Sequence, residues 1–312
     1  MASSNTVYIV AATRTPIGKY GGDLSSLSAI DLGTAVVKSA LQQSNVPADA
    51  VDEVYFGNVL QANLGQAPAR QIAIASGIPY SVPCSTVNKV CSSGMKCIEL
   101  GMNSILLSKN QIVVCGGTES MSNVPYYVSS KDMRIHASSK SLGNKTLIDG
   151  MIKDGLWDVY NNKHMGSCGD LCGKTYNISR EQQDECAIAS FERAQNATNA
   201  GILRQEITPI TVQKGRKKQV VIDKDEGCLK FDAGKLRKLR PAFDRKAGTV
   251  TAGNASQLSD GAACVILVNE AMLKKYNLRA LAKIVGYADA AKQPVEFTTA
   301  PSLAIPKALK TA

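Results

Sequence analysis

Residues 7–115 alternate short apolar runs with longer segments whose apolar positions recur at helical spacing. Runs at 7–12, 53–59, 84–88 and 111–115 read as strands, the last closed by Gly116 and Gly117. Segments at 29–42, 67–76 and 92–108 read as helices. In the first of these, Ile30, Val36, Val37, Ala40 and Leu41 fall on one face. Gly77 and Pro79 stop the second. Alternation of strand and helix argues for an α/β sheet.

The pattern breaks after residue 120. Residues 121–250 are richer in polar and charged side chains and read as an inserted domain. A helix starts at the capping box Ser179-Arg-Glu-Gln182, runs to Asn199 and ends at Gly201. Two hairpin strands follow at 207–212 and 219–223, across Lys-Gly-Arg-Lys. Residues 251–270 return to the first unit through an apolar strand at 261–268. Residues 271–312 then echo the opening: 282–288 and 301–309 resemble 7–12 and 29–41, as a duplicated α/β unit would.

A chain of 312 residues suits two packed domains. No apolar run reaches membrane-spanning length, so no membrane partner is expected. No Arg-rich presequence or secretory segment is present. The cytoplasm is the simplest location, with a mitochondrial product of presequence removal as the alternative. Nine cysteines without a signal peptide argue for free thiols. Cys168 and Cys172 lack a second ligand pair at zinc spacing, so no metal is expected.

Cys91 stands in Asn88-Lys-Val-Cys91-Ser-Ser-Gly94-Met-Lys, where a strand should turn into a helix. Unpaired N–H groups and the dipole at a helix start favour a thiolate. A buried, inert cysteine fits the same residues equally well. Gly94 reads as a point of close approach for a substrate or a neighbouring chain. His164, in Lys163-His164-Met165-Gly166, is a lone histidine with nothing local to orient its ring. The small-residue segment from Gly248 to Ala263 is either a packed turn or a loop whose backbone and Ser256 hydroxyl meet an extended polar ligand. Lys230, Lys235, Arg237, Lys238, Arg240, Arg245 and Lys246 form a solvated face or a phosphate site. A net charge of +10 suits an anionic partner. Aromatics at 5% and the lack of a reading motif set nucleic acid aside.

Taken in order, these segments resemble the thiolases. The matching stretches are Arg14-Thr-Pro-Ile-Gly18, Gly57-Asn-Val-Leu, Gly65-Gln-Ala-Pro-Ala-Arg70-Gln, the Cys91 motif, Gly116-Gly-Thr-Glu-Ser-Met-Ser-Asn-Val-Pro125, His164-Met-Gly and Gly253-Asn-Ala-Ser256. The likeness is closest to the acetyl-CoA C-acetyltransferases. It implies a layered αβαβα fold of two similar halves with an inserted coenzyme A-binding loop domain. It further implies condensation of two acetyl-CoA to acetoacetyl-CoA and coenzyme A, or the reverse, through acetyl-Cys91. Leu156, His164 and Met165 would line the pantetheine channel. Lys230, Phe231, Asp232 and Lys235 would meet the nucleotide end, and Phe243, Ala252 and Ser256 further pantetheine. Coenzyme A is then substrate and product, with no separate cofactor. Homo-oligomers, dimers or tetramers, are the family's habit.

Departures are also visible. Three later family segments, Asn-Glu-Ala-Phe, Gly-His-Pro and a Cys before a Gly-rich turn, do not appear, so the second half is expected to be incomplete. Asn269-Glu-Ala271 directly follows a strand, too early in the family order, and no Phe comes after it. By resemblance the Gly-His-Pro histidine activates the nucleophile and the late Cys takes the α-proton; His136 and His164 match neither role. The alternative reading is an inactive thiolase-like isoform that binds acyl-CoA or partner subunits. Phe191 replaces a Tyr that contacts potassium in a potassium-dependent relative. Gly169-Asp170-Leu171 stands where close relatives have Ala-Glu-Asn.

Overall fold

The computed structural model describes residues 6–129, 144–215 and 218–312. His136 and part of the Lys-Gly-Arg-Lys turn lie outside these residues. Strand β1 (Val7–Arg14), helix α1 (Ala29–Ser44), strand β2 (Glu53–Gly57), helix α2 (Pro68–Ala75), strand β3 (Cys84–Val87), helix α3 (Ser93–Leu106) and strand β4 (Ile112–Ser120) open the chain. The interrupting region carries helices α4 (Gly150–Gly155), α5 (Met165–Thr175) and α6 (Arg180–Asn199). It continues with the hairpin β5 (Ile210–Lys214) and β6 (Lys218–Ile222) and helix α7 (Ala233–Arg237). Strand β7 (Ser259–Asn269), helix α8 (Glu270–Lys275), strand β8 (Ala282–Lys283) and helix α9 (Pro301–Thr311) follow.

The main sheet runs β8-β1-β7-β4-β2-β3, with the two-residue strand Gly18–Lys19 beside β7. β2 is parallel to β3 and β4, whereas β7 is antiparallel to β1 and β4. Both faces are covered, and the strands' period of two divides their side chains between them. In β4, Ile112 and Val114 join Leu32, Val36, Phe56 and Ile72 beneath α1 and α2. Val113 and Cys115 point the other way, with Cys97 and Ile105 of α3 and Leu267 of β7. Phe56 is 1% exposed, and burying such a ring contributes about 1.5–3 kcal/mol. The start of α1 is fixed by a capping box between Ser28 and Asp31. The box predicted at Ser179 and Gln182 opens α6, and Gly201, at φ +73°, follows its end.

Several strands differ from the sequence reading, among them the first hairpin strand, which spans Ile210–Lys214 and not 207–212. β4 does not close at Gly116-Gly117 but continues through them to Ser120, because β2 and β7 pair with it on both sides. A Cβ on Gly116 would meet the Phe56 ring at 2.4 Å, so that glycine serves packing within a strand. β2 ends at Gly57, two residues early. The strand expected over 282–288 shrinks to Ala282–Lys283, which extends the first sheet by pairing with Tyr8 and Ile9 of β1. Past Ile284, whose N–H still donates to the Val7 carbonyl at 3.0 Å, the chain leaves the sheet and crosses to the start of α3, where Asp289 meets Lys89 and Lys96.

The interruption is tied back to the sheet. Arg14, at the end of β1, donates from Nε to Glu206 at 2.8 Å and from both terminal nitrogens to Asp225 at 2.7 and 2.9 Å. This planar, bidentate arrangement is one that lysine cannot reproduce. All nine cysteines are free thiols. Among the described residues no helix is long and apolar enough to cross a membrane.

Candidate active site

The C-terminal ends of β2 and β4 meet the start of α3 so closely that side chains are excluded. A Cβ on Gly57 would lie 2.7 Å from the Gly94 nitrogen, and one on Gly117 would lie 3.2 Å from the Gly94 Cα. A Cβ on Gly94 itself would find only ordinary contacts, 3.8 Å or more away. Gly57 and Gly117 thus let α3 pack against the strand ends, while Gly94, read from the sequence as a point of approach for a substrate or a neighbouring chain, lines the cavity beside Cys91.

Cys91 lies two residues before the first residue of α3 and is exposed. The turn that carries it holds Val90 at φ +49°, an unfavourable conformation for a β-branched residue. Local hydrogen bonds hold it there. Asn88 Oδ1 accepts from Val90 N at 3.0 Å. Ser93 Oγ accepts from Lys89 N at 2.8 Å and donates to the Val90 carbonyl at 2.6 Å. Ser92 Oγ donates to the Lys89 carbonyl at 3.0 Å. The thiol is therefore presented at a fixed point, not packed away as an inert cysteine.

Cys91 opens into a cavity of about 410 Å³ whose lining includes Gly57, Asn58, Glu119, Leu156, Asp260 and Arg14. Leu156 is the one predicted ligand-lining residue that shares this cavity. The others form two neighbouring groups. Met165 N donates to the Leu156 carbonyl at 2.9 Å, which sets Leu156 beside His164. His164 stacks on Phe243 with ring centroids 4.7 Å apart. Gly166 makes room for that ring, since a Cβ there would lie 2.0 Å from it. His164 Nδ1 accepts from Gly166 N at 3.0 Å, so the lone histidine caps α5. Burial lowers its pKa and favours the neutral ring, which that acceptor role requires.

The second group is Lys230, Phe231, Asp232 and Lys235. Phe231 stacks on Phe191 at 4.6 Å. Asp232 accepts from Lys235 N at 2.9 Å to start α7, and that backbone bond holds its carboxyl below the ordinary value. Lys230 is exposed, and the Lys235 side chain is 85% exposed. Ala252 and Ser256 are exposed in the loop before β7. Asp170, in the divergent Gly169-Asp170-Leu171 segment, accepts from Thr249 N and Val250 N at 2.7 and 2.9 Å and fixes that loop's base.

Sequence reasoning quoted Asn58 and Glu119 within motifs but gave them no role. Glu119 accepts from Val59 N at 3.0 Å, Leu60 N at 3.1 Å and Asn58 Nδ2 at 2.9 Å. Burial pushes its carboxyl up in spite of these donors. The pair therefore helps to shape the cavity wall. A charged residue at the end of an apolar strand was the available signal. Among the described residues the cavity lining contains no histidine and no second cysteine.

The family described as thiolase, N-terminal domain, matches residues 7–271. The chain belongs to the thiolase family. Its similarity to acetyl-CoA acetyltransferase 1 of Arabidopsis thaliana is 55% identity over 307 residues, covering 98% of this chain and 73% of the relative. An acetyl-CoA acetyltransferase of Yarrowia lipolytica is 50% identical over 310 residues, 99% of this chain and 75% of that one. A thiolase from Ascaris suum, solved in complex with coenzyme A, superposes with a TM-score of 0.90 at 41% identity, covering 98% of this chain and 76% of that one. A mixed α/β fold of thiolase type is thus established for this chain.

Proposed function

We propose that this thiolase acts as an acetyl-CoA C-acetyltransferase with Cys91 as the acyl acceptor. The observation that carries the reading is the presentation of Cys91 on a strained, hydrogen-bonded turn at the mouth of a 410 Å³ cavity. In the first step the Cys91 thiolate attacks the thioester carbonyl of acetyl-CoA. A new C–S bond forms, the bond to coenzyme A breaks, and the coenzyme A thiolate leaves and takes up a proton. In the second step the enolate of another acetyl-CoA attacks acetyl-Cys91, giving acetoacetyl-CoA and the free thiol. The histidine and second cysteine to which the resemblance assigns the proton transfers are not among the described residues of the cavity lining; acyl acceptance is the step assigned to these residues.

Leu156, His164, Met165 and Phe243, with Ala252 and Ser256, form the proposed pantetheine path. Lys230, Phe231, Asp232 and Lys235 form the proposed nucleotide end, where exposed ammonium groups suit phosphates. We read the protein as a cytoplasmic homo-oligomer, in keeping with the name of a cytosolic relative from Gibberella zeae and with exposed apolar side chains such as Met95, Leu107 and Leu309. Residues 271–312 are read as the beginning of a second α/β half.

The test is intact-mass and peptide analysis after incubation with acetyl-CoA. One acetyl group should appear on Cys91, and Cys91→Ala should abolish it. Acetylation spread over Cys84, Cys172 and Cys186 at equal levels would refute the assignment.

A further inference from the structure

The turn that carries Cys91 is held by its own side chains and also by a strap from about two hundred residues later. Residues 284–289 leave β8 and end on Asp289. Its carboxylate receives Lys89, two residues before Cys91, on one oxygen and Lys96, in the first turn of α3, on the other at 2.8 Å. Tyr287 Oη donates to the same carboxylate at 2.6 Å, and the Lys96 ammonium lies over the Tyr287 ring, 5.4 Å from its centre. Lys96 is also paired with Glu99.

The strap is braced from behind. A Cβ on Gly286 would lie 2.7 Å from the Ala308 carbonyl, so α9 rests directly on the strap's backbone. Thr311 Oγ1 donates to the Tyr287 carbonyl at 3.4 Å. The cavity lining includes Val90, Cys91, Ser93 and Gly94 but neither Lys89 nor Lys96. Asp289 thus draws both lysine arms away from the cavity while gripping the turn on either side of the thiol. A lone exposed ion pair contributes little. One carboxylate fixing two cations and a phenol across a strained turn is a different case, since the strain at Val90 persists only where surrounding contacts over-determine it.

Resting on the reading of Cys91 as the nucleophile, we propose that Asp289 is a positioning residue, whose clasp on Lys89 and Lys96 holds the Cys91 turn in its reactive geometry. Position and charge predict opposite signs. If Asp289 acted only as a nearby negative charge, removing it would favour the thiolate and speed its reactions. If it holds geometry, removing it slows them.

The experiment is the rate of iodoacetamide labelling of Cys91, read by peptide mass against the exposed Cys186 in the same sample. Asp289→Asn should slow Cys91 roughly tenfold, the scale of a small misplacement of a reacting group, and leave Cys186 unchanged. Asp289→Glu should recover most of the rate. Gly286→Ala keeps every charge but lifts the strap off α9, and it should slow Cys91 in the same direction. An unchanged or faster Cys91 in Asp289→Asn overturns the proposal. Should that variant fail to fold, seen as labelling of the buried Cys97 and Cys115, Gly286→Ala decides, and an unchanged Cys91 there overturns it. Absence of acetyl-Cys91 in the unaltered chain would instead remove the acyl-acceptor reading, because labelling by iodoacetamide does not depend on it.

Discussion

The Cys91 turn and the lysine-rich stretch from Lys230 to Ser256 serve the same proposed reaction by opposite means. The turn is cross-tied at nearly every residue: glycine contacts from below, serine hydroxyls within, and Asp289 from outside. The lysines of the stretch are exposed and have few fixed partners. Bond formation requires atoms placed to within fractions of an ångström. Attraction of a polyphosphate acts through space and tolerates movement, and salt weakens it. Rigidity is concentrated where covalent chemistry occurs, and charge is spread where only an anion must be met.

The sharpest challenge to that contrast is steric. Gly57→Ala would drive a methyl group into the backbone of Ser93 and Gly94. Overpacking of this kind typically costs 1–3 kcal/mol, and backbone cannot swing aside, so about 3 kcal/mol is expected in chemical unfolding. Gly94→Ala, with only ordinary contacts, should cost less than about 1 kcal/mol. Equal losses at the two positions would mean that the turn is not the rigid member of the comparison.

Next in size is the charged stretch. Replacing Lys230 and Lys235 together by alanine should weaken coenzyme A binding roughly tenfold at low salt, and much less at high salt. Titration calorimetry measures both. Pantetheine, which lacks the phosphates, should bind the two proteins alike; a matching loss for pantetheine would move the phosphate site elsewhere.

A smaller effect separates the two regions by pH. The folded His164 pKa lies below 6.5, its ordinary value, so the unfolded chain binds more protons there. Its contribution to stability is present above that value and is lost as pH falls below it. His164→Asn retains a capping acceptor but does not titrate, and should flatten the acid side of the stability curve measured by thermal unfolding. The smallest effect concerns potassium. Phe191 is stacked on Phe231 and offers no oxygen. Exchanging potassium for sodium at constant ionic strength should leave coenzyme A affinity unchanged.

The sheet was largely legible because its strands alternate in apolar runs that two covered faces require. Ser179 and Gln182 likewise announce α6 by local chemistry alone. The errors arose where partners distant in sequence decide. Gly116 and Gly117 look like a stop until β2 and β7 pair on either side of them. Residues 284–288 look like strand until Asp289 is drawn to Lys89 and Lys96. At the site, the strand-to-helix turn marked Cys91, but local spacing left it balanced against an inert thiol, and the resemblance tipped the reading. Stacking of His164 on Phe243 joins residues on either side of α6 and α7, which no local pattern encodes. Asn58 and Glu119 interact across two strands and were missed for the same reason.

The order of strands in the sheet dictates when the chain can close during synthesis. β7 lies between β1 and β4, and Val7 is paired with Asn269. As a chain emerges during synthesis, β1 has no bond to the β4-β2-β3 group until residues 259–269 arrive. The interrupting region must therefore emerge, and its own helices begin to form, before its host can close. Until then two unprotected strand edges are offered to any neighbouring chain. Closing so long a loop slows assembly more than it weakens the finished fold. A nascent chain stalled before Ser259 should be the most chaperone-dependent intermediate of this protein.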